Sequence, residues 1–373
     1  MSSSTMASTS LRTQLSTVCV ANKFTALSGS NQQTRSRLKM GRRSLGMKGC
    51  VAVGVSGLGS SVAAQPVQGL ERLAFKPDGY NFWKWKGHNI HYLVQGEGPA
   101  IVLIHGFGAS VFHWRYNIPE LSKRYKVYAL DLLGFGWSEK AILDYDAMVW
   151  RDQVVDFLKE VVKEPTILVG NSLGGFTALA SASELVDQVV GVVLLNSAGR
   201  FRDASDEVAQ SEESLVQKYI VKPVKEIIQR FVIGLLFWQA KQPGRIQSVL
   251  NSVYIDKTNV DDYLIQSITV PANHPSAGEV YYRLMAQLGV NLQKYTLNAV
   301  IDKLSCPILL LWGDSDPWTG SDKALRIKEY YPNASLTFLK AGHCPHDEVP
   351  ELVNKALLEW LCGLNLNTSY QNM

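Results

Sequence analysis

Acid is missing where the chain starts. Residues 1–70 hold no aspartate or glutamate, against eight cations (Arg12, Lys23, Arg35, Arg37, Lys39, Arg42, Arg43, Lys48) and 13 serines. A serine-rich, arginine-bearing, acid-free leader has the composition of an organelle transit peptide, and the run Met-Ser-Ser-Ser-Thr-Met-Ala-Ser-Thr-Ser favours a plastid over a mitochondrion. The leader also accounts for the net charge of +4: without it, 29 basic residues face 33 acidic ones. Such a mildly acidic body gives no support to a nucleic-acid partner.

Cysteine is scarce as well. Cys19 and Cys50 lie in the leader, and Cys306, Cys344 and Cys362 are too few and too scattered for a disulfide framework or a metal site. Cys344 reads as a packed loop thiol. Neither a metal nor an organic cofactor is expected. Long apolar runs are absent too. Val51 to Ala64 is short and rich in glycine and serine, and no other stretch reaches the ~18 apolar residues of a spanning helix, so any membrane association would be peripheral. Internal repeats are lacking.

What the chain does have is a βα rhythm. Phe82 to Trp85 and Asn89 to Val94 alternate like a hairpin turning at Lys86-Gly-His. Strands are then expected at 101–104, 127–130, 166–169 and 189–195, and helices near 113–123, 147–162 and 173–185. The rhythm stops at Ala198 and resumes at Pro307, with strands at 307–312 and 335–339 and helices at 321–330 and about 349–362. That order implies a mostly parallel sheet with helices on both faces. The expected organisation is a leader over 1–65, a core over 71–199 and 303–364, a helical cap inserted over 200–302, and a tail over 365–373.

Chemistry gathers at the ends of the apolar strands. Gly170-Asn-Ser-Leu-Gly174 has the G-x-S-x-G spacing of a nucleophile elbow and the strand-turn-helix context that the motif requires. The glycines are read as sites too close to neighbouring backbone for a Cβ. Ser172 would stand at a helix N-terminus, where negative charge is favoured.

A serine hydroxyl needs a base, an acid to orient that base, and oxyanion donors. His343, after a glycine on the loop beyond strand 335–339, is the preferred base; His346 is the alternative, read otherwise as a surface or capping residue. Asp316 in Gly313-Asp-Ser-Asp-Pro317 is the preferred acid, and Asp314 the alternative, read otherwise as an Asx-turn residue. The end of the preceding strand, Leu194-Leu-Asn-Ser-Ala-Gly199, offers no carboxylate. The oxyanion donors are the backbone N–H groups of Leu173 and of Phe107, the latter in His105-Gly-Phe-Gly108. His105 is read as bracing that loop, and Asp131 as closing a turn beside it.

The cap is the least informative part. Its outstanding piece, Ile227 to Trp238, is apolar almost all round, so it is either buried on the core or faces something greasy. Tyr281, Tyr282, Arg283 and Met285 either line a pocket or pack.

Together these motifs resemble the α/β-hydrolase superfamily from about Tyr80 to Cys362. Within it, the leader, Phe112-His-Trp-Arg-Tyr-Asn-Ile-Pro-Glu-Leu, Asp131-Leu-Leu-Gly-Phe-Gly-Trp-Ser, Gly170-Asn-Ser-Leu-Gly-Gly and Trp312-Gly-Asp-Ser-Asp-Pro-Trp-Thr are similar to the plant and cyanobacterial chlorophyll dephytylase and pheophytinase branch. The resemblance implies that Ser172, Asp316 and His343 form a catalytic triad that cleaves a phytyl ester by way of an acyl-enzyme. It also implies a chloroplast location with peripheral thylakoid contact. A pheophytin-preferring enzyme, a generic plastid carboxylester or lipid hydrolase, and a non-catalytic ligand receptor are the other readings. Aspartate-nucleophile relatives such as epoxide hydrolases are disfavoured by Ser172.

Overall fold

The computed structural model describes residues 69–202 and 222–364. The expected leader, the tail and the first part of the cap fall outside the described residues. Eight strands form one sheet: β1 Asn81–Trp85, β2 His88–Gln95, β3 Ala100–Ile104, β4 Lys126–Leu130, β5 Thr166–Asn171, β6 Val189–Leu195, β7 Ile308–Gly313 and β8 Ser335–Leu339. Their order is β1-β2-β4-β3-β5-β6-β7-β8. β2 pairs antiparallel with β1 and β4, and every other pairing is parallel.

The helices are α1 Asn117–Leu121, α2 Ala147–Phe157, α3 Leu173–Ala182, α4 Lys222–Ala240, α5 Pro243–Val253, α6 Asp262–Ala272, α7 Ala277–Lys294, α8 Leu297–Ile301, α9 Ser321–Tyr330, α10 Pro345–Glu348 and α11 Pro350–Gly363. α4 to α8 lie between β6 and β7, where the strand rhythm breaks.

β3, β5 and β7 are buried along their whole length, as strands covered on both faces must be. One apolar cluster fills each side of the sheet. Val102, Ile104, Leu168, Val192 and Leu194 face one way, and Ile101, Leu103, Ile167, Val169 and Val193 the other. The alternation follows from the two-residue period of a strand.

Two helices differ from expectation. The helix expected near 113–123 is a 3₁₀ turn, Val111–Trp114, followed by the short α1. Pro119 explains the break, because its ring excludes the carbonyl four residues earlier and is tolerated only in a first turn. The helix over 147–162 is α-helical to Phe157, widens into a π turn over Leu158–Val162, and stops at Lys163 with φ 61°. The hairpin turns on Lys86 and Gly87, both at positive φ, with His88 already in β2.

Parallel register decides where the chemistry lands. Ile104 lies opposite Gly170, Asn171 opposite Leu195, Leu195 opposite Leu311 and Gly313 opposite Leu339. The loops leaving β3, β5, β6, β7 and β8 therefore emerge at one rim, the carboxyl edge where sheets of this kind place their sites.

Candidate active site

The turn after β5 is sharp. Ser172 has φ 53° and ψ −116°, a conformation that costs an L-residue energy and persists only when its surroundings enforce it. They do so through close backbone approach: a Cβ on Gly170 would lie 2.2 Å from the Gly174 carbonyl, and one on Gly174 would lie 2.2 Å from the Ile104 carbonyl. The Ser172 N–H donates to the Leu195 carbonyl (3.0 Å), and the Ser172 carbonyl accepts from Gly175 and Ala198 (3.0 and 2.8 Å). The backbone is pinned, while the hydroxyl makes no cap bond to α3. Ser172 is only half-buried.

Across the rim, His343 Nδ1 lies 2.6 Å from Asp316 Oδ2. That oxygen also accepts from Asn196 Nδ2 (2.8 Å) and from the Thr319 hydroxyl, and Oδ1 accepts from the Trp318 N–H (2.7 Å). Burial alone would push the Asp316 carboxyl up. Hydrogen bonding and charge from His343, with the Thr319 hydroxyl and the Trp318 N–H, outweigh burial and hold it at about 2. The acid therefore stays ionised beside the imidazole. Asp314 points elsewhere, to Lys340 Nζ (2.5 Å) and the Ser315 hydroxyl. Of the two aspartates, Asp316 is the one at His343.

Asn171 ties the two halves together. Its Nδ2 donates to the His343 carbonyl (2.9 Å) and to the Leu195 carbonyl (3.1 Å), so the residue before Ser172 holds the histidine loop. Leu173 is the first residue of α3, and its N–H is one of the donors that a helix leaves unpaired. The Phe107 N–H makes no backbone hydrogen bond among the described residues. His105 braces its loop as expected: Nδ1 contacts the Gly106 carbonyl (2.7 Å), and Nε2 accepts from the Leu132 N–H (3.0 Å). Asp131 is structural in its contacts, bonded to His91 Nδ1 and to the N–H groups of Val111 and Trp137, each at 2.7 Å.

His346 departs from expectation. It is fully buried, not a surface cap, and packs on Trp114 (ring centroids 4.2 Å apart) and His113 (4.6 Å). Burial, with His113 and His343 nearby, keeps its imidazole neutral well below the usual range. Its sequence position, three residues past His343, places it on α10, which dives beneath the rim. Cys344 is the packed thiol expected, pushed up by burial.

The histidine loop is also laced to residues 253–256, between β6 and β7, which sequence reasoning missed. Glu348 Oε2 accepts from the Gly342 N–H (2.7 Å), while Oε1 accepts from the N–H groups of Ile255 (2.8 Å) and Asp256 (2.9 Å). The His343 N–H donates to the Val253 carbonyl (2.9 Å). Beneath this lies Arg115, wholly buried and bidentate on Asp347 (2.7 and 3.2 Å), with further bonds to Asp261 Oδ1 and the Asn259 carbonyl (both 2.6 Å). Planar two-point pairing of this kind is the strong form of an ion pair. Of the missed residues, Asn196 alone carried a sequence signal. It follows β6 directly, at φ 43°, a conformation in which asparagine is enriched.

On α4, Phe237 packs at a tilt on Tyr281 (5.1 Å), which in turn meets Phe107 (6.2 Å). Tyr282 is buried and packs under Arg230, Met285 packs against the core, and Arg283 pairs with Glu279 and Asp144. Among the described residues, no cluster of three or more histidine, cysteine or acidic side chains is arranged to hold a metal.

A mostly parallel eight-stranded sheet, with a serine on a strained post-strand turn and an acid–imidazole pair on the same rim, defines a hydrolase of the α/β type. Residues 101–356 match the alpha/beta hydrolase family model, and the chain belongs to that family. Over 317 residues it is 29% identical to the chloroplastic pheophytinase of Arabidopsis thaliana, an alignment covering 74% of this chain and 65% of that one. The chain thus spans just under two thirds of that relative's length. A solved meta-cleavage product hydrolase from Pseudomonas fluorescens shares the fold, with a TM-score of 0.63, 23% identity and coverage of 78% of this chain and 100% of that one. A bacterial membrane phospholipase A superposes with a TM-score of 0.59 at 26% identity, covering 76% and 86% of the two chains.

Proposed function

We propose that this hydrolase cleaves the phytyl ester of chlorophyll or its derivatives by a Ser172–His343–Asp316 acyl-enzyme mechanism, in the chloroplast. The observation that carries the chemistry is the Asp316–His343 contact, on the same sheet rim as a serine held at positive φ. In this reading, rotation of the Ser172 side chain brings Oγ to His343 Nε2, which takes its proton as Oγ attacks the ester carbonyl. The N–H groups of Phe107 and Leu173 hold the oxyanion, each contributing about 3 kcal/mol of transition-state stabilisation. His343 then protonates the departing phytol oxygen. Water, deprotonated by the same imidazole, hydrolyses the acyl-enzyme and frees the pigment acid and Ser172. Asp316 stays ionised throughout and stabilises the imidazolium. In the same reading 71–199 and 303–364 are the core, and the described part of 200–302 serves as its cap.

Support for the substrate comes from likeness to a chloroplastic pheophytinase, the plastid-type leader, and the aromatic path Phe237–Tyr281–Phe107 leading to the oxyanion loop. A second reading, a lipid carboxylester hydrolase, draws on the likeness to a membrane phospholipase A. Purified wild-type and Ser172→Ala proteins, assayed for phytol release from chlorophyll and pheophytin and for acyl release from a galactolipid, distinguish the two. Phytol release by wild type that Ser172→Ala abolishes is the expected result. Acyl release without phytol release favours the lipid hydrolase, and pigment binding without turnover favours a receptor.

A further inference from the structure

Among the described residues, the outer face of α4 has no partner. Phe231, Leu235 and Trp238 fall at i, i+4 and i+7, so they share one side of the helix, and they are 69%, 52% and 61% exposed; Val232 beside them is 47% exposed. Contiguous exposed apolar patches of this kind mark interaction sites. Aromatic side chains ending in a Trp ring are the type that settles at a lipid headgroup boundary.

Cations outnumber acids in the chain segment that carries the patch. Segment 222–245 carries Lys222, Lys225, Arg230, Lys241 and Arg245 against a single acid, Glu226. The body without the leader carries 29 basic against 33 acidic residues, so segment 222–245, with five basic residues and one acidic, is a cationic stretch in a mildly acidic body. Arg230 is neutralised locally by Glu279 (2.9 Å), and Lys241 and Arg245 follow Trp238 directly. Two copies meeting through this face would set like charges against each other, whereas an anionic bilayer would neutralise them.

The inner face of the same helix leads to the chemistry, through Phe237 to Tyr281 to Phe107. We propose that α4 docks the enzyme on an anionic lipid bilayer with Phe231, Leu235 and Trp238 inserted at the headgroup boundary. A substrate held in the bilayer then passes along the inner side of the same helix to Ser172. Among the described residues no helix is long and apolar enough to cross a membrane, so the contact is interfacial. Docking stands on the helix itself, and only the delivery step rests on the hydrolase reading.

Full-length protein is floated with vesicles of phosphatidylcholine alone and of equimolar phosphatidylcholine and phosphatidylglycerol. Binding to the mixed vesicles, weaker without phosphatidylglycerol, is expected. The double variant Phe231→Ser/Trp238→Ser should lose about tenfold or more of that binding and lose hydrolysis of vesicle-borne pigment in parallel. It should keep wild-type turnover of a short soluble ester and a wild-type thermal melt. Wild type that stays with the buffer, or a double variant that floats as well as wild type, overturns the proposal. So does a wild-type dimer that the double variant dissolves, which assigns the face to a second copy. Should neither protein turn over the soluble ester, the hydrolase reading fails while flotation still decides docking.

Discussion

Replacing Asp316 by asparagine tests the acid–base half of the site in a single change. Oδ2 accepts from His343, Asn196 and Thr319, while Oδ1 accepts only from the Trp318 N–H. An asparagine amide must therefore turn its oxygen toward the three donors and set its NH₂ against the Trp318 N–H. The shape survives, but the charge facing the imidazole is gone. In the folded protein the carboxyl is held at about 2, below its ordinary 3.8, so folding favours the ionised form by about 2 kcal/mol near neutral pH. That stabilisation is full above pH 4 and is lost as pH falls toward 2. Asp316→Asn should thus unfold at lower urea by about 2 kcal/mol at pH 7 and show a flatter loss of stability between pH 4 and pH 2. Turnover of a soluble ester should fall about 10³–10⁴-fold through kcat with KM little changed, because the imidazolium loses its counter-charge and its tautomer is no longer enforced. Asp314→Asn, whose carboxylate bonds Lys340 and Ser315 and not His343, is the control and should leave kcat unaltered. An Asp316→Asn enzyme retaining more than about a tenth of wild-type kcat refutes the assignment, since no orienting acid is that dispensable.

Two further changes probe the lacing beneath the site. Glu348→Gln replaces one acceptor by a donor among three backbone N–H groups, so either Gly342 or the Ile255–Asp256 pair is left facing an N–H. The expected cost is about 1–3 kcal/mol in a urea melt, with kcat lowered more than KM because Gly342 precedes His343; Glu348→Asp, too short to span both segments, should not rescue it. Arg115→Met strands the buried Asp347 carboxylate and should cost about 3–5 kcal/mol by the same melt. Adding Asp347→Asn should recover part of that loss, and a double variant as unstable as the single one argues against the pairing.

Much of this site was legible because the chemistry sits in short motifs at strand ends. A run such as Thr166 to Val169 followed by Gly-Asn-Ser-Leu-Gly declares both the strand and the turn, since only glycine lets the backbone approach as closely as Gly170 and Gly174 do. The parts that were not legible depend on partners far away in the chain. Arg115 and Asp347 are 232 residues apart, and Glu348 reads as a helix-flanking acid until the cap's Ile255 and Asp256 arrive against it. His346 failed for the same reason: a histidine three residues past a loop glycine looks exposed unless the packing of α10 on Trp114 is known.

The cap helix shows the limit from the other side. Residues 227–238 are apolar almost all round, and periodicity counts apolar positions without saying what each one faces. In the fold, Phe237 turns inward to Tyr281 while Phe231, Leu235 and Trp238 turn out to solvent, so one sequence pattern serves two environments. A helix needed only to hold the cap on the core would have a polar outer face, since exposing four large apolar side chains gains nothing for folding and risks aggregation. Their exposure is intelligible if the outer face meets a second apolar phase. The same logic separates the two halves of this enzyme. The rim at Ser172 answers to backbone geometry that a few residues dictate, whereas under the docking proposal α4 answers to a surface outside the molecule, which no pattern within the chain describes.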